Sequence, residues 1–148
     1  MQTKIVHSYG IIPVHKTEAG LELLLIHMYG SAGGTHWTFP KGRPEEGETP
    51  LVSALRECKE EAGLVPVKVY SDDPILEQYT FTFEGTQIEK TVTFFVGIID
   101  NPDVTIQPEE IKEAAWLPLS LVSARLTYPA AQSVLTQVTS LFVREGLL

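Results

Sequence analysis

Residues 42–64, Gly42 to Leu64, read GRPEEGETPLVSALRECKEEAGL. This stretch encodes a helix. Thr49-Pro50 has the form of an N-cap followed by proline at the first helical position, where the missing N–H is no loss. Gly63 stands where a left-handed glycine stops a helix. Between them Leu51, Ala54, Leu55 and Cys58 recur at helical spacing, which predicts the buried face of a helix from Pro50 to about Ala62. Cys58 on that face reads as a small hydrophobe, not a nucleophile. Glu57, Glu60 and Glu61 fall at i, i+3 and i+4, so one helix face carries three carboxylates. Such a face repels itself without cations. Its hard oxygen donors suit Mg²⁺ or Mn²⁺ rather than zinc, and the sequence offers no Cys/His cluster for a softer metal. Arg56 sits among these acids and can pin a carboxylate through a charge-assisted contact. On spacing alone a solvated acidic face explains the glutamates as well.

Working outward, His36-Trp37-Thr38-Phe39-Pro40 reads as a short strand ending at proline, after a Gly-rich loop over Tyr29 to Thr35. Ser8 to His15 is a β-type run in which Pro13 predicts an edge position or a bulge. A hairpin turn at Thr17 to Gly20 leads to Leu21–Met28, an apolar run that predicts a central strand. Downstream, strands are expected over Val65–Tyr70, Glu77–Phe83, Glu89–Ile99 and Ala114–Leu117, the second and third joined around Glu84-Gly85-Thr86. A helical turn over Pro118–Ala124 and an amphipathic helix over Pro129–Gly146, with Val134, Val138, Leu141 and Phe142 inward, complete the chain. Helices between mixed strands predict an α/β sandwich. Tyr79, Phe81 and Phe83 alternate and share one strand face. Phe81 and Phe83 are expected in the core. Tyr79 and Tyr128 have an apolar body and a polar tip, which suits a cleft edge.

The 148 residues fit one domain, 1–148. A net charge of −8 argues against a general affinity for nucleic acid or anionic membranes. No apolar run approaches the ~18 residues that span a bilayer. The opening MQTKIVHSYGIIPV lacks a signal peptide's apolar block and cleavage site, and one cysteine cannot form an internal disulfide. A cytoplasmic location is expected.

The quoted stretch resembles the Nudix box, the signature of hydrolases that cut nucleoside diphosphates linked to another moiety. Gly42 is followed after five residues by Glu48; then come Arg56-Glu57, Cys58 at an apolar position, Glu60-Glu61, Gly63 and the aliphatic Leu64. Seven fixed residues at fixed spacing arise by chance about once in a million chains of this length at average composition. The resemblance implies the Nudix fold, a mixed sheet sandwiched between helices. It implies metal held by Glu57, Glu60 and Glu61 with a backbone carbonyl near Gly42, and a loop held in part by Glu48. Divalent magnesium there, with manganese as a substitute, would bridge phosphate oxygens and activate a water.

The flanks are similar to the asymmetric diadenosine tetraphosphate hydrolases of the animal and bacterial type. The similarity rests on HW-x-x-PKG over 36–42, on Lys90-Thr91-Val92, and on Glu110 six residues before Trp116-Leu117. It implies a small-molecule dinucleoside polyphosphate as substrate, cut to ATP and AMP by in-line attack of water without a covalent intermediate. It implies phosphate contacts from Lys41, Arg43 and Lys90, and adenine stacked by Tyr79 and Tyr128. His36 could bond a phosphate or support the loop. Glu110 is implied as a further metal ligand or as the general base, with Glu57 as the rival base. The catalytic set is therefore Glu57, Glu60, Arg56 and Glu110, and the metal set Gly42, Glu57, Glu60, Glu61 and Glu110. Arg43 departs from the histidine that often follows PKG, although arginine still grips phosphate in bidentate fashion. RNA pyrophosphohydrolases typically carry glutamine where Lys41 stands. A monomer is expected. Two alternatives remain at this point: a pyrophosphatase of another nucleotide, such as an oxidised nucleoside triphosphate, and a non-catalytic nucleotide-sensing Nudix module. The intact box speaks against the second.

Overall fold

The computed structural model describes residues 2–30 and 33–148. In chain order the elements are β1 (Gln2–Thr17), β2 (Gly20–Tyr29), β3 (Thr35–Thr38), β4 (Lys41–Gly42), α1 (Pro50–Ala62), β5 (Lys68–Phe83), β6 (Thr86–Ile98), β7 (Ile111–Pro118), α2 (Leu119–Arg125) and α3 (Ala130–Arg144). The strands make one mixed sheet in the order β3-β2-β1-β6-β5, with β4 paired to β1 and β7 to β2. β1 and β6 run parallel; the other pairs are antiparallel.

The site is positioned by a fork in this sheet. β1 and β2 pair as a hairpin from Thr17↔Gly20 to Val14↔Leu23 and then part. β3 pairs with β2 beyond the parting, at Ile26↔Thr38, and β4 pairs with β1 at Gly10↔Lys41. The segment from Thr35 to Gly42 is thus driven into the fork as a wedge. Pro13 lies at the parting. Its strand is central, flanked by β6 through Pro13↔Gly97, so the expected edge position is wrong. By strand alternation its ring nitrogen faces the same side as the Ile11 N–H, which donates to Pro40 O at 3.1 Å. The missing donor therefore falls in the gap where the two strands separate and costs no ladder bond.

Two apolar layers sandwich the sheet. Ile12, Val14, Leu23, Phe94 and Val96 pack under α2 and α3, which contribute Val122, Val134, Val138, Leu141 and Phe142. Ile11, Leu24, Ile26 and Phe95 pack under α1, which contributes Ala54, Cys58 and Ala62. The inward residues expected of the last helix are all fully buried.

α1 begins and ends as its caps dictate. The Thr49 side chain accepts from the Val52 amide, Pro50 opens the helix, and Gly63 closes it at φ 70°. Its buried face differs from the expectation. Ser53, Ala54, Glu57, Cys58 and Glu61 are buried, while Leu51 and Leu55 are half-buried. The helix is rotated so that two glutamates, not two leucines, face the wedge. β5 also departs: it starts at Lys68, after Pro66 whose ring cannot donate to a ladder, and runs unbroken through a bulge between Tyr70 and Ile75. Glu84 and Gly85 turn β5 into β6 with φ of 49° and 78°, the pair of positive angles a two-residue hairpin needs. Of the loop expected over 29–35, Ser31 and Ala32 lie outside the described residues.

Candidate active site

The two residues of β4 divide the site. Successive strand residues point to opposite faces. Lys41 faces the α3 side, into a cavity of about 480 Å³ shared with His36, Tyr79, Phe81, Lys90 and Tyr128. Gly42 faces the α1 side, at a second cavity of about 460 Å³ lined by Arg43, Arg56, Glu57, Glu60, Glu61 and Glu110. A basic, aromatic cleft and an acidic one therefore adjoin across a two-residue strand.

On the acid side, β4 and α1 are locked together. The buried Lys41 amide donates to Glu61 Oε1 at 2.9 Å. Gly42 carries no Cβ because one would overlap the Glu57 carboxylate. Arg56 gathers the loop: its Nε and Nη2 donate to the two oxygens of Glu48 at 2.7 and 3.0 Å, and Nη2 also donates to Arg43 O at 3.0 Å. Glu48 Oε1 in turn accepts from the Glu45 amide at 2.7 Å. The remaining guanidinium nitrogen, Nη1, donates to Glu57 at 2.9 Å and Glu60 at 3.1 Å. Arg56 is spent on the acids and the loop, so its place is that of a clamp. The Arg56 bonds hold the Glu48 carboxyl below the usual carboxylate range.

Burial raises the Glu57 carboxyl, against Arg56, and Glu60 and Glu110 raise it further. Glu61 is pushed up to about 9 by burial and by Glu57, in spite of the Lys41 amide. A carboxyl only 1% exposed among other acids is a site lacking counter-charge. Its donors are all oxygens, which fits a hard divalent cation. Among the described residues no three ligating side chains converge at metal distance. Arg56 draws Glu57 and Glu60 toward itself instead. Glu110 lies in the turn before β7 and has no ion pair among the described residues; its backbone accepts from the Tyr29 amide at 3.0 Å.

On the basic side, Tyr79 pairs with Lys90 across the β5–β6 ladder. Tyr79 stacks on Phe81 at 6.0 Å and on Tyr128 at 6.3 Å between ring centroids. His36 lies 5.1 Å from the Tyr128 ring and has a buried Nδ1 with no partner among the described residues. Burial and the charges of Lys41, Lys90 and His27 lower His36 to about 4, so its ring is neutral at ordinary pH. Lys90 is lowered to about 7 by burial and by the neighbouring Lys41.

Lys41, Lys90, His36, Tyr79 and Tyr128 thus line one cleft. Arg43 lines the acid cavity. The expected core position of Phe81 and Phe83 is corrected. Phe81 and Phe83 are 39% and 40% exposed, because the β1–β6–β5 ribbon extends past the helices that would cover them. Phe81 lines the cleft. Trp37, beside His36, is sandwiched between the His27 ring, stacked at 4.7 Å, and the Arg125 guanidinium, 4.8 Å from its centroid. His27 is itself held by Thr35 and Glu113. One residue was missed: Glu77, 4% exposed, two positions before Tyr79 on the same face. The alternation Glu77, Tyr79, Phe81 carried that signal, but a glutamate in a strand reads as solvent-facing.

A mixed sheet between helices, with an acid-lined helix and a basic aromatic cleft meeting at a glycine, is the arrangement of a nucleotide-related hydrolase. The chain belongs to the Nudix hydrolase family, whose NUDIX domain matches residues 7–138. An asymmetrical bis(5'-nucleosyl)-tetraphosphatase of Caenorhabditis elegans is 29% identical over 115 residues, covering 78% of this chain and 80% of that protein. An RNA pyrophosphohydrolase of Helicobacter pylori is 30% identical over 123 residues, covering 76% of this chain and 77% of its own length. A Mycobacterium tuberculosis protein bearing the name MutT4 is 31% identical over 104 residues, covering 70% of this chain, which spans only 41% of that relative's length. Among solved structures, a Caenorhabditis elegans Ap4A hydrolase binary complex superposes with a TM-score of 0.74 at 23% identity, over 93% of this chain and 98% of that one. The NUDIX domain of Shewanella oneidensis NrtR complexed with ADP ribose gives 0.75 at 17% identity, over 98% and 90%. These two likenesses establish the fold.

Proposed function

We propose that this chain is a magnesium-dependent hydrolase of dinucleoside polyphosphates, cutting diadenosine tetraphosphate asymmetrically to ATP and AMP. It works as one domain and a monomer in the cytoplasm. What carries the proposal is the juxtaposition at β4: a cleft with two lysines and two stackable tyrosines opens beside the acid cavity, with only Lys41-Gly42 between them. A nucleoside fits the tyrosine end, its phosphates meet Lys41 and Lys90, and the scissile phosphate reaches the carboxylates. The tetraphosphatase relative supports the substrate class.

Glu57, Glu60, Glu61 and Glu110, with the Gly42 carbonyl, are the groups that would hold the divalent ions. When bound, these supply charge neutralisation at the phosphate and a more acidic water. The chain's own residues do the rest. Lys41 and Lys90 balance phosphate charge, and Arg43 at the acid cavity can grip a phosphate on the far side of β4. Neutral His36 offers a hydrogen bond without adding charge. Arg56 holds Glu57 and Glu60 and, through Glu48, the loop that carries Arg43. Glu110, unpaired and on a turn, takes the proton of the attacking water. Glu57 is worse placed for this because Arg56 holds its carboxylate.

Product analysis in ¹⁸O-water tests the assignment. ATP and AMP from diadenosine tetraphosphate, with label in one product only, are expected. Higher efficiency on an oxidised nucleoside triphosphate, on 5'-triphosphorylated RNA, or tight binding without turnover would each replace it.

A further inference from the structure

Glu77 is a buried acid for which the hydrolytic machinery has no use. It lies on the face of the sheet that carries the basic cleft. The ladder Glu77↔Val92 continues across β1 as Ser8↔Val92. The next row outward is Tyr79↔Lys90 with Val6, and the next row inward is Ile75↔Phe94 with Gly10, opposite which stands Lys41. Glu77 is therefore bracketed by the row of Lys90 and the row of Lys41, all on one face. Diagonal neighbours in adjacent rows are within reach of long side chains. Gln137 of α3 fixes this register by accepting from the Leu76 amide at 3.1 Å and donating to the Leu76 carbonyl at 2.8 Å.

The two lysines are close to each other, and both are withdrawn from water. Lys41 is 9% exposed and Lys90 is half-buried. Two like charges withdrawn from water in one cleft repel each other, and an anion that faces them offsets that cost. In the absence of a phosphate chain, Glu77 is the acid in that position.

We infer that Glu77 is a positioning residue of the phosphate site, a built-in counter-charge that faces Lys90 and keeps its ammonium group directed at the cleft before a polyphosphate arrives. This rests on the reading of the cleft as a phosphate site. It adds a specific consequence: the grip on phosphate depends on an acid that never touches it. Removing the charge leaves Lys90 beside Lys41 with no acid facing it, so Lys90 gives up its proton more readily and the polyphosphate meets a weaker set of cations. The groups around Lys90 are Lys41 from β4, Glu77 from its own ladder partner β5, His36 from β3 and the phenols of Tyr79 and Tyr128, with the charge of Arg43 acting on it from the acid-cavity side. Lys90, already lowered to about 7, is the lysine poised to respond. Glu77 pulls it upward, toward the charged form.

Calorimetric binding of inorganic tripolyphosphate to the whole chain, in metal-free buffer, tests this without turnover and without the acid cavity. At about pH 8, Glu77→Gln is expected to weaken binding about tenfold, and the loss should shrink toward none near pH 6, where Lys90 is protonated regardless. Glu77→Asp, which keeps the charge, should bind nearly as wild type, and serves in place of the glutamine variant if that one fails to fold. In a Lys90→Met background Glu77→Gln should change affinity little, since the two act as one unit. Equal or tighter binding by Glu77→Gln at the higher pH, the same loss at both pH values, an undiminished loss in the Lys90→Met background, or an aspartate variant as weak as the glutamine one would each overturn the inference. If Lys90→Met itself leaves tripolyphosphate binding unchanged, it is the phosphate reading of the cleft that fails, and this inference with it.

Discussion

Gly42 and Glu57 share a space that holds only one of them beyond a hydrogen: a Cβ on Gly42 would overlap the carboxylate of Glu57. The contact is carbon against carboxylate, from β4 to a helix fifteen residues on. It leaves the acid pressed against the strand that separates the two cavities. The glycine is required by this approach and not by its backbone angles, since Gly42 is absent from the positive-φ residues. Gly42→Ala should push Glu57 off the strand. Overpacking of this kind costs about 1–3 kcal/mol of stability. The kcat should fall by about 100-fold or more, the scale of a misplaced catalytic group. Thermal melts and steady-state kinetics on one preparation check both. An alanine variant with wild-type kcat would show that the position of Glu57 against β4 does not matter.

Arg56 supports the loop through a bidentate pair with Glu48. Lysine has one point charge and cannot reproduce the fork. Arg56→Lys should therefore lower kcat about tenfold while leaving the affinity of the cleft for tripolyphosphate unchanged. Glu48 gives the pH signature. Its folded pKa lies below its unfolded value because Arg56 bonds the charged form, so its contribution is present above the unfolded pKa and disappears as pH falls through the folded one. In Glu48→Gln the acid side of the Tm-versus-pH curve should flatten. An unchanged curve would mean that the pair does no work in solution.

Glu61 has the opposite sign. Its folded pKa, about 9, lies above the 4.5 of a free glutamate, so the metal-free folded chain holds this proton more tightly than the unfolded one. That contribution is full below the unfolded value and is lost steadily as pH rises toward the folded one. Metal-free protein should therefore lose Tm between about pH 5 and pH 9. Added Mg²⁺ should restore it at the alkaline end by favouring the carboxylate. Glu61→Gln should flatten the metal-free curve and abolish the response to Mg²⁺. A glutamine variant that still gains Tm from Mg²⁺ would remove Glu61 from the ion site.

Much of this was legible in local sequence, and the losses have a common cause. Thr49, Pro50 and Gly63 act on their own helix, so its ends fell where they were expected. Glu84-Gly85 acts on its own hairpin. The rotation of α1 did not show, because Glu57 and Glu61 are turned inward by Gly42 and the Lys41 amide, partners that periodicity does not count. Pro13 was misplaced for the same reason: the fork that excuses its missing N–H is built by a segment two elements later. Glu77 was overlooked since its company, Lys41 and Lys90, comes from other strands. Phe81 and Phe83 obeyed the alternation but lie on a ribbon that outruns its helices, and no local pattern announces where a covering layer stops.

Tyr128 belongs to the loop between α2 and α3, which is tied to β3 by the Trp37 amide donating to Thr127 Oγ1 at 2.8 Å and the Thr127 amide to Trp37 O at 3.4 Å. Its ring stands free enough, at 46% exposed, to pack against a base. Stacking on an aromatic is worth about 1–3 kcal/mol per base, so Tyr128→Ala should raise KM for diadenosine tetraphosphate about tenfold or more. Tripolyphosphate has no base, and its affinity should not move. A parallel loss for both ligands would show that Tyr128 supports His36 instead of a nucleobase.

Glu110 and Glu57 can be separated as candidate bases by what else each removal disturbs. Glu57 is bound by Arg56 and lies against Gly42, so Glu57→Gln should weaken both kcat and the Tm gain from Mg²⁺. Glu110 has no such bonds. Glu110→Gln should lower kcat by about 10²–10³ and erase the acid limb of the kcat–pH profile, because that limb reports the base losing its charge. Its Tm response to Mg²⁺ should survive in larger part than that of Glu57→Gln. Pre-steady-state hydrolysis with saturating Mg²⁺ is the measurement, since it keeps ion occupancy constant while the proton acceptor is changed. If the acid limb persists in Glu110→Gln and vanishes in Glu57→Gln, the proton goes to Glu57. Arg56 must then release that carboxylate during each turnover, and Arg56→Lys should speed the chemical step where the clamp reading has it slow.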